Sequence, residues 1–391
     1  MQDAYIVAGY RTAVTKSKRG GFRFMRPDDL AVQVINGLLK SLPQLDPKRV
    51  DDCIVGNAVP EAEQGLQIGR IIAARALGID VPGMTVNRYC ASGLETIAIA
   101  TAKIRSGMAD CIVAGGVESM SLVPTAGWKT VPNYTVSSTE PDYYLSMGLT
   151  AEAVANEFNV SRTDQDEFSF NSHQKSIHAI ENGFFKSGIL PITVEQVYVN
   201  EKGKRATKNY VVDTDEGPRR DTNMEALAKL KPVFAANGSV TAGNSSQTSD
   251  GAAFVVVMGE KMVNELGLKP IARLVNCVSA GVEPRIMGIG PIAAVPKVLK
   301  QAGMNLADID LFELNEAFAS QSLAVIRELN LNPEKVNING GAISLGHPLG
   351  CTGAKLTIQM MNDMHRLNKK YGIVTACIGG GQGVAGIIER M

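Results

Sequence analysis

Val50-Asp51-Asp52-Cys53-Ile54-Val55-Gly56-Asn57-Ala58 is a strand-length apolar run closed by an asparagine, and its pattern returns as Ile309-Asp310-Leu311-Phe312-Glu313-Leu314-Asn315-Glu316-Ala317. Each copy places an acidic residue five positions before the asparagine. A second pair of segments repeats in the same order. Cys111-Ile112-Val113-Ala114-Gly115-Gly116 corresponds in pattern to Ile373-Val374-Thr375-Ala376-Cys377-Ile378-Gly379-Gly380, each an apolar strand ending in glycines. The chain therefore reads as two related α/β halves. Strand-like runs (Ala4 to Ala8, Cys53 to Gly56, Cys111 to Ala114) alternate with helical stretches (Asp28 to Leu39, Ser92 to Arg105), which predicts helix-covered sheets rather than an all-β or bundle fold. The interval from about Ser119 to Thr248 breaks this rhythm and is richer in proline, aromatic and charged residues, including Lys202-Gly203-Lys204-Arg205 and Pro218-Arg219-Arg220. It reads as an inserted loop domain, 119–248, with the N-terminal half at 1–118 plus 249–270 and the C-terminal half at 271–391.

Composition narrows the classes without choosing a chemistry. With 391 residues and 45% hydrophobic content the chain suits two or three globular domains. Thirty-nine basic residues balance thirty-nine acidic ones, so no global charge steers it to nucleic acid or an anionic membrane. The longest apolar runs, such as Ala252 to Met258, fall far short of the roughly 20 residues of a membrane span, and Met1 leads almost directly into a strand rather than a basic signal segment. A cytoplasmic protein is the expectation. The six cysteines, at positions 53, 90, 111, 277, 351 and 377, form no Cys-x-x-Cys pair and no metal-like spacing with histidine, which points to reduced thiols rather than disulfides or zinc.

Cys90 lies between the strand-like Met84-Thr85-Val86 and the helix-like run from Ala91 to Ala100. A thiol at a helix N-terminus faces free backbone N–H groups and the positive end of the dipole, which can lower its pKa from about 8.5 to roughly 3.5–7.5. The alternative is an inert buried cysteine. Two distant glycine-rich turns weigh for chemistry: Gly340 to Gly353, which holds His347, and Cys377-Ile378-Gly379-Gly380-Gly381-Gln382-Gly383. Of the four histidines, His173 and His178 fall in a polar helical run and His365 in a charged one, so His347 alone sits in such a turn.

The motifs Asn87-x-x-Cys90-Ala91-Ser92-Gly93, Asn315-Glu316-Ala317-Phe318-Ala319, Gly346-His347-Pro348-x-Gly350 and Cys377-x-Gly379-Gly380-Gly381-x-Gly383 resemble those of the thiolase family, in its order and spacing and over essentially the whole chain. The resemblance implies a layered αβαβα core of duplicated halves, a loop domain that binds much of coenzyme A, and acyl transfer through an acyl-cysteine. It assigns Cys90 as nucleophile on the 3-keto carbon of a 3-oxoacyl-CoA and Cys377 as general acid and base for the acetyl-CoA enolate. His347 activates the nucleophile and donates to the thioester oxygen, and Asn315 holds a water that donates to the same oxygen. Backbone N–H groups of Cys90 and Gly379 form the other oxyanion hole. For coenzyme A it implies Arg219 and Ser246 against the adenine and pantetheine portions, with Met147, Ala317 and Phe318 lining the channel. No permanently bound cofactor and no metal is implied, and a homodimer or homotetramer is expected.

Three further signals have plainer readings. Gly381-Gln382-Gly383-Val384-Ala385-Gly386 matches a dinucleotide fingerprint only formally, because five residues follow it, too few for the helix and acidic residue such a site needs. Cys351 reads as packing under the histidine turn. Lys202 to Arg205 reads as a solvated loop, with coenzyme A's phosphates as the alternative. One departure bears on substrate: where short-chain acetoacetyl-CoA thiolases carry a histidine before Met-Gly, this chain has Ser146 in Tyr143-Tyr144-Leu145-Ser146-Met147-Gly148. That looks more like the degradative 3-ketoacyl-CoA thiolases of fatty-acid β-oxidation. A biosynthetic acetoacetyl-CoA thiolase is the second reading, and a non-catalytic acyl-CoA- or lipid-binding relative the third.

Overall fold

The computed structural model describes residues 2–391. Its strands are β1 (Ala4–Arg11), β2 (Thr15–Lys16), β3 (Asp52–Gly56), β4 (Gly83–Val86), β5 (Cys111–Ser119), β6 (Ile192–Val199), β7 (Arg205–Val212), β8 (Ser249–Gly259), β9 (Ala272–Gly281), β10 (Leu311–Leu314), β11 (Tyr371–Ile378) and β12 (Gln382–Arg390). They line up as β10-β11-β12-β9-β1-β8-β5-β3-β4, with β2 beside β8 and β6-β7 a separate hairpin.

The duplication is visible in this order. In the N-terminal half β3 runs parallel to β5, β5 antiparallel to β8, and β8 antiparallel to β1. In the C-terminal half β10 runs parallel to β11, β11 antiparallel to β12, and β12 antiparallel to β9. Each half is thus the same four-strand arrangement, and the first carries β4 as an extra edge. Among the described residues the halves touch in sheet register at one pair, Ile6 with Ala272.

Side-chain alternation sorts the strands into layers, since successive residues of a strand face opposite sides. Phe254, Val256 and Met258 of β8 pack outward with Val34, Ile35 and Leu38 of the helix Pro27–Ser41 and with Ile68 and Ile72 of the helix Ile68–Ala76. Ala253, Val255 and Val257 face inward, onto helices Ser92–Arg105 and Leu349–Arg366. Val374, Ala376 and Ile378 of β11 meet the same two helices from the other side, while Ile373 packs outward with helices Gly290–Ala302 and Ala319–Glu328. Both faces of both sheets are therefore covered, which is why their strands read as nearly continuous apolar runs.

The two middle helices approach closely enough to exclude side chains. A Cβ on Gly93 would lie 2.7 Å from the Ala354 nitrogen, and one on Gly353 would collide with the Leu94 backbone. Residues 119–248 lie against both halves. A buried ion pair, Arg11 to Asp215 at 2.7 Å, ties them to β1, and Ser172 of the helix Arg162–Glu181 donates to buried Glu316 at 2.7 Å. Among the described residues no helix is long and apolar enough to cross a membrane.

Candidate active site

β4 feeds a tight turn that carries Cys90. Asn87 Oδ1 accepts from the Tyr89 N–H at 2.8 Å, and the Ser92 hydroxyl donates to the Tyr89 carbonyl at 2.7 Å while accepting from the Arg88 N–H at 2.9 Å. These bonds hold Tyr89 at φ +43°, in the left-handed region, where a bulky residue costs about 1–3 kcal/mol. The strained turn leaves Cys90 half-buried just ahead of the helix Ser92–Arg105.

His347 lies between the short helix Ala342–Leu345 and the long helix Leu349–Arg366. The turn requires φ +101° at Gly346, where a Cβ would also run into the Ser249 hydroxyl. The backbone N–H of His347 donates to the Gln247 carbonyl at 3.2 Å. Its tautomer follows from its neighbours. With the Thr352 hydroxyl donating to the Pro348 carbonyl at 3.0 Å, it accepts from His347 Nδ1, 2.6 Å away. The proton is therefore on Nδ1, and Nε2 presents a lone pair. Asn315 Nδ2 donates to that lone pair at 3.3 Å, and Asn315 Oδ1 is buried with no partner in the protein. A water can satisfy this oxygen, which is what the implied water-holding role of Asn315 requires.

Cys377 is the penultimate residue of β11, and the strand runs out into Gly379-Gly380-Gly381, with positive φ at Gly380 and Gly381. The backbone N–H groups of Gly379 and Cys90 favour the Cys90 thiolate. Above Gly379 lie Met147 and Tyr89, the Met147 sulfur 3.7 Å from where a Cβ would be. Met147, Ala317, Phe318 and Cys377 share one apolar cluster with Ala151, Val240 and Met287. Ser246 joins this group through its backbone N–H, which donates to the Ala317 carbonyl at 2.9 Å. Arg219 does not: it is exposed, and its N–H donates to the buried His173 at 3.2 Å. Cys351 is buried in the middle layer, Lys202 to Arg205 form the exposed end of the β6–β7 hairpin, and Gly383 to Gly386 lie inside β12.

Burial pushes the Cys90 thiol up to about 12, despite the two N–H groups that favour its thiolate. Desolvation works against the helix N-terminus here and favours the thiol over the thiolate. Burial, then the nearby Lys355, lowers His347 to about 3, and Cys377 is raised by burial and by the neighbouring Cys90. Burial thus favours the neutral forms of Cys90, His347 and Cys377.

Sequence reasoning passed over three residues that build this geometry: Tyr89, Thr352 and Glu118. Thr352 carried a usable signal, because it lies five positions after His347 on the first turn of a helix. Tyr89 and Glu118 carried none that periodicity reveals.

Comparison with known proteins agrees with the geometry. The family model "Thiolase, N-terminal domain" matches residues 4–261 and "Thiolase, C-terminal domain" residues 268–390. A 3-ketoacyl-CoA thiolase of Bacillus subtilis is 50% identical over 390 residues, covering 100% of both chains. The human peroxisomal 3-ketoacyl-CoA thiolase is 42% identical, covering 99% of this chain and 91% of its own. The crystal structure of the Bacillus anthracis acetyl-CoA acetyltransferase superposes with a TM-score of 0.90 at 38% identity, covering 100% of this chain and 99% of that one. With matching family models over both halves, full-length relatives and one fold, the chain belongs to the thiolase family of acyltransferases.

Proposed function

We propose that this chain is a 3-ketoacyl-CoA thiolase that cleaves 3-oxoacyl-CoA with coenzyme A, giving acetyl-CoA and an acyl-CoA shortened by two carbons. What supports the reading is a pair of neighbouring thiols, Cys90 and Cys377, brought from separate segments, and a buried imidazole, His347, held by Asn315 and Thr352.

The Cys90 proton passes to His347 Nε2 as the sulfur attacks the 3-keto carbon, and the developing alkoxide is met by the N–H groups of Cys90 and Gly379. Collapse breaks the C2–C3 bond. The acetyl-CoA enolate leaves and takes the Cys377 proton at C2, while the His347 imidazolium and a water on Asn315 hold its oxygen. Coenzyme A then gives its thiol proton to the Cys377 thiolate and attacks acyl-Cys90. Acyl-CoA departs, and the Cys90 sulfur recovers its proton from His347. Each donor to an oxyanion is worth about 10²–10³ in turnover. Because the resting thiol and imidazole are both neutral, ionising the pair is a cost met only once substrate offers a carbanion or alkoxide to stabilise.

Residues 119–248 form the coenzyme A-binding domain in this reading, with Arg219 and Ser246 on the adenine and pantetheine portions and Met147, Ala317 and Phe318 along the channel. The enzyme acts in the cytoplasm as a homodimer or homotetramer and holds no permanent cofactor. Mass spectrometry after exposure to acetyl-CoA tests the reading: one acetyl group is expected, on the peptide containing Cys90. An adduct on Cys351 or Cys377 instead, with Cys90→Ala still turning over, would sink it.

The likeness to an acetyl-CoA acetyltransferase keeps the biosynthetic reading as the alternative. Ser146 separates the two. It is the exposed N-cap of the helix Met147–Glu157, and its side chain makes no capping bond, so a small residue here leaves space beside Met147. Each added buried methylene is worth about 0.8 kcal/mol, or roughly fourfold in kcat/KM. The degradative reading requires 3-oxohexanoyl-CoA to be cleaved with higher kcat/KM than acetoacetyl-CoA, and Ser146→His to narrow that preference. Activity on acetoacetyl-CoA alone would select the biosynthetic one.

A further inference from the structure

The strand registers of the two halves locate a residue that the reaction scheme above leaves without a task. β3 pairs with β5 up to Gly56 opposite Gly116, directly before Asn57, and β10 pairs with β11 up to Leu314 opposite Thr375, directly before Asn315. Two residues beyond each of these pairs stand Glu118 and Cys377, and each lies opposite a glycine of the next strand, Gly251 and Gly383. Glu118 therefore occupies in the first half the position that Cys377 occupies in the second.

Its surroundings are specific. Glu118 is 1% exposed. One carboxylate oxygen accepts the backbone N–H groups of Ala58 and Gly350, each at 2.8 Å. The other accepts from Gln64 Nε2 at 2.7 Å and Asn57 Nδ2 at 3.3 Å. All four neighbours are donors, which favours the carboxylate against the burial that raises its pKa. Ala58, Asn57 and Gln64 belong to the first half, whereas Gly350 opens the helix Leu349–Arg366 three residues after His347. That N–H has no partner within its own helix. The junction has no slack: a Cβ on Gly350 would lie 2.7 Å from Asn57 Cα, and one on Gly116 would strike the Gly350 carbonyl. Thr352, which fixes the imidazole tautomer, sits on the same first turn.

We propose that Glu118 is a positioning residue for the reaction, the carboxylate that clamps the His347 turn onto the first half and so holds the imidazole within reach of Cys90. The proposal rests on the thiolase reading. An apolar side chain could fill the same space without the cost of burying a charge. The four donors explain why a carboxylate stands here, and the only one of them from the second half belongs to the catalytic turn.

A double-mutant cycle tests it, with the rate of acetyl transfer from acetyl-CoA to Cys90, followed by intact mass, as the readout. Glu118→Gln puts an amide where two donors already point and loosens the turn. It is expected to slow acetylation about 10²-fold, the scale of a misplaced catalytic group, with half-saturating acetyl-CoA within threefold of wild type. In a His347→Ala background, where there is no imidazole left to position, the same change is expected to slow acetylation no further than threefold. Should Glu118→Gln not fold, as judged by circular dichroism, Glu118→Asp carries the same cycle, since it keeps the charge but is one methylene too short to span the halves. Acetylation within threefold of wild type in the folded single variant would overturn the proposal. So would losses that multiply in the double variant, the signature of a purely structural role. Absence of any Cys90 adduct in the wild type would instead overturn the thiolase reading itself, so the two failures are distinguishable.

Discussion

Asn57 and Asn315 close equivalent strands, are both fully buried, and each leave a side-chain oxygen without a protein partner, yet they face different company. Asn315 donates to an imidazole, with Cys377 on the neighbouring strand. Asn57 donates to the Val117 carbonyl and to Glu118, which stands where Cys377 stands in the other half. In the proposed reading one strand end moves protons and its counterpart is a clamp. The fold supplies the same converging strand ends twice, and only the side chains placed there decide which end reacts. Cys90, the proposed nucleophile, comes from a different place, the strained turn after β4.

The largest effect should come from that turn. Cys90→Ala removes the proposed acyl carrier, and thiolysis should fall by about 10⁴-fold or more, with no acetyl adduct detected. Turnover within a hundredfold of wild type would transfer the nucleophile's role elsewhere. On the other side of the comparison, Cys377→Ala should still accept acetyl on Cys90 while losing α-proton exchange on acetyl-CoA by about 10²–10⁴-fold. Equal loss of acyl transfer and proton exchange would mean that Cys377 serves the glycine turn and not the proton.

The pH dependence sharpens the contrast between burial and helix placement. With the Cys90 thiol pushed up to about 12, its alkylation by iodoacetamide in the unliganded enzyme should climb about tenfold per pH unit from pH 6 to 9 without a plateau, because the thiolate fraction rises in proportion throughout. A plateau beginning below pH 8 would restore the helix-stabilised thiolate. The smallest effect separates the paired asparagines. Asn315→Ala should lower kcat by about 10²-fold with little change in stability. Asn57→Ala should instead cost about 1–3 kcal/mol in denaturant unfolding, having lost buried hydrogen bonds, and lower kcat less than Asn315→Ala does. If the two variants behave alike, the division of labour between the halves is wrong.

The duplication was legible because apolar strands ending in asparagine or glycine are conspicuous, and the helix Ser92–Arg105 was read to its ends. Cys90, His347 and Cys377 stood out because thiols and imidazoles are few and glycine clusters mark close backbone approach. What stayed hidden is polar and buried. The helix Arg162–Glu181 turns Gln165, Ser169, Ser172, His173 and Ser176 inward, so its buried face carries no apolar stripe for periodicity to find. Glu118 sits in a strand buried along its whole length, and nothing in its neighbours along the chain tells that donors from both halves await it. The desolvation of the Cys90 thiol stayed hidden for a related reason: a helix N-terminus can be inferred from a sequence, but the burial that opposes it depends on segments hundreds of residues away.

The glycine-to-backbone contact between the helices Ser92–Arg105 and Leu349–Arg366 bears on how the molecule comes apart. Each half uses the other's central helix to cover its sheet, so neither retains a sealed interior when the other opens. Loss of the C-terminal half would bare Val255, Val257 and Leu94, and loss of the N-terminal half would bare Val374, Ala376 and Ile378. A partly opened molecule with such faces exposed is poorly stable, and melting should be a single cooperative event for both halves. Amide hydrogens of the two central helices should then exchange together, at the slowest rate in the protein.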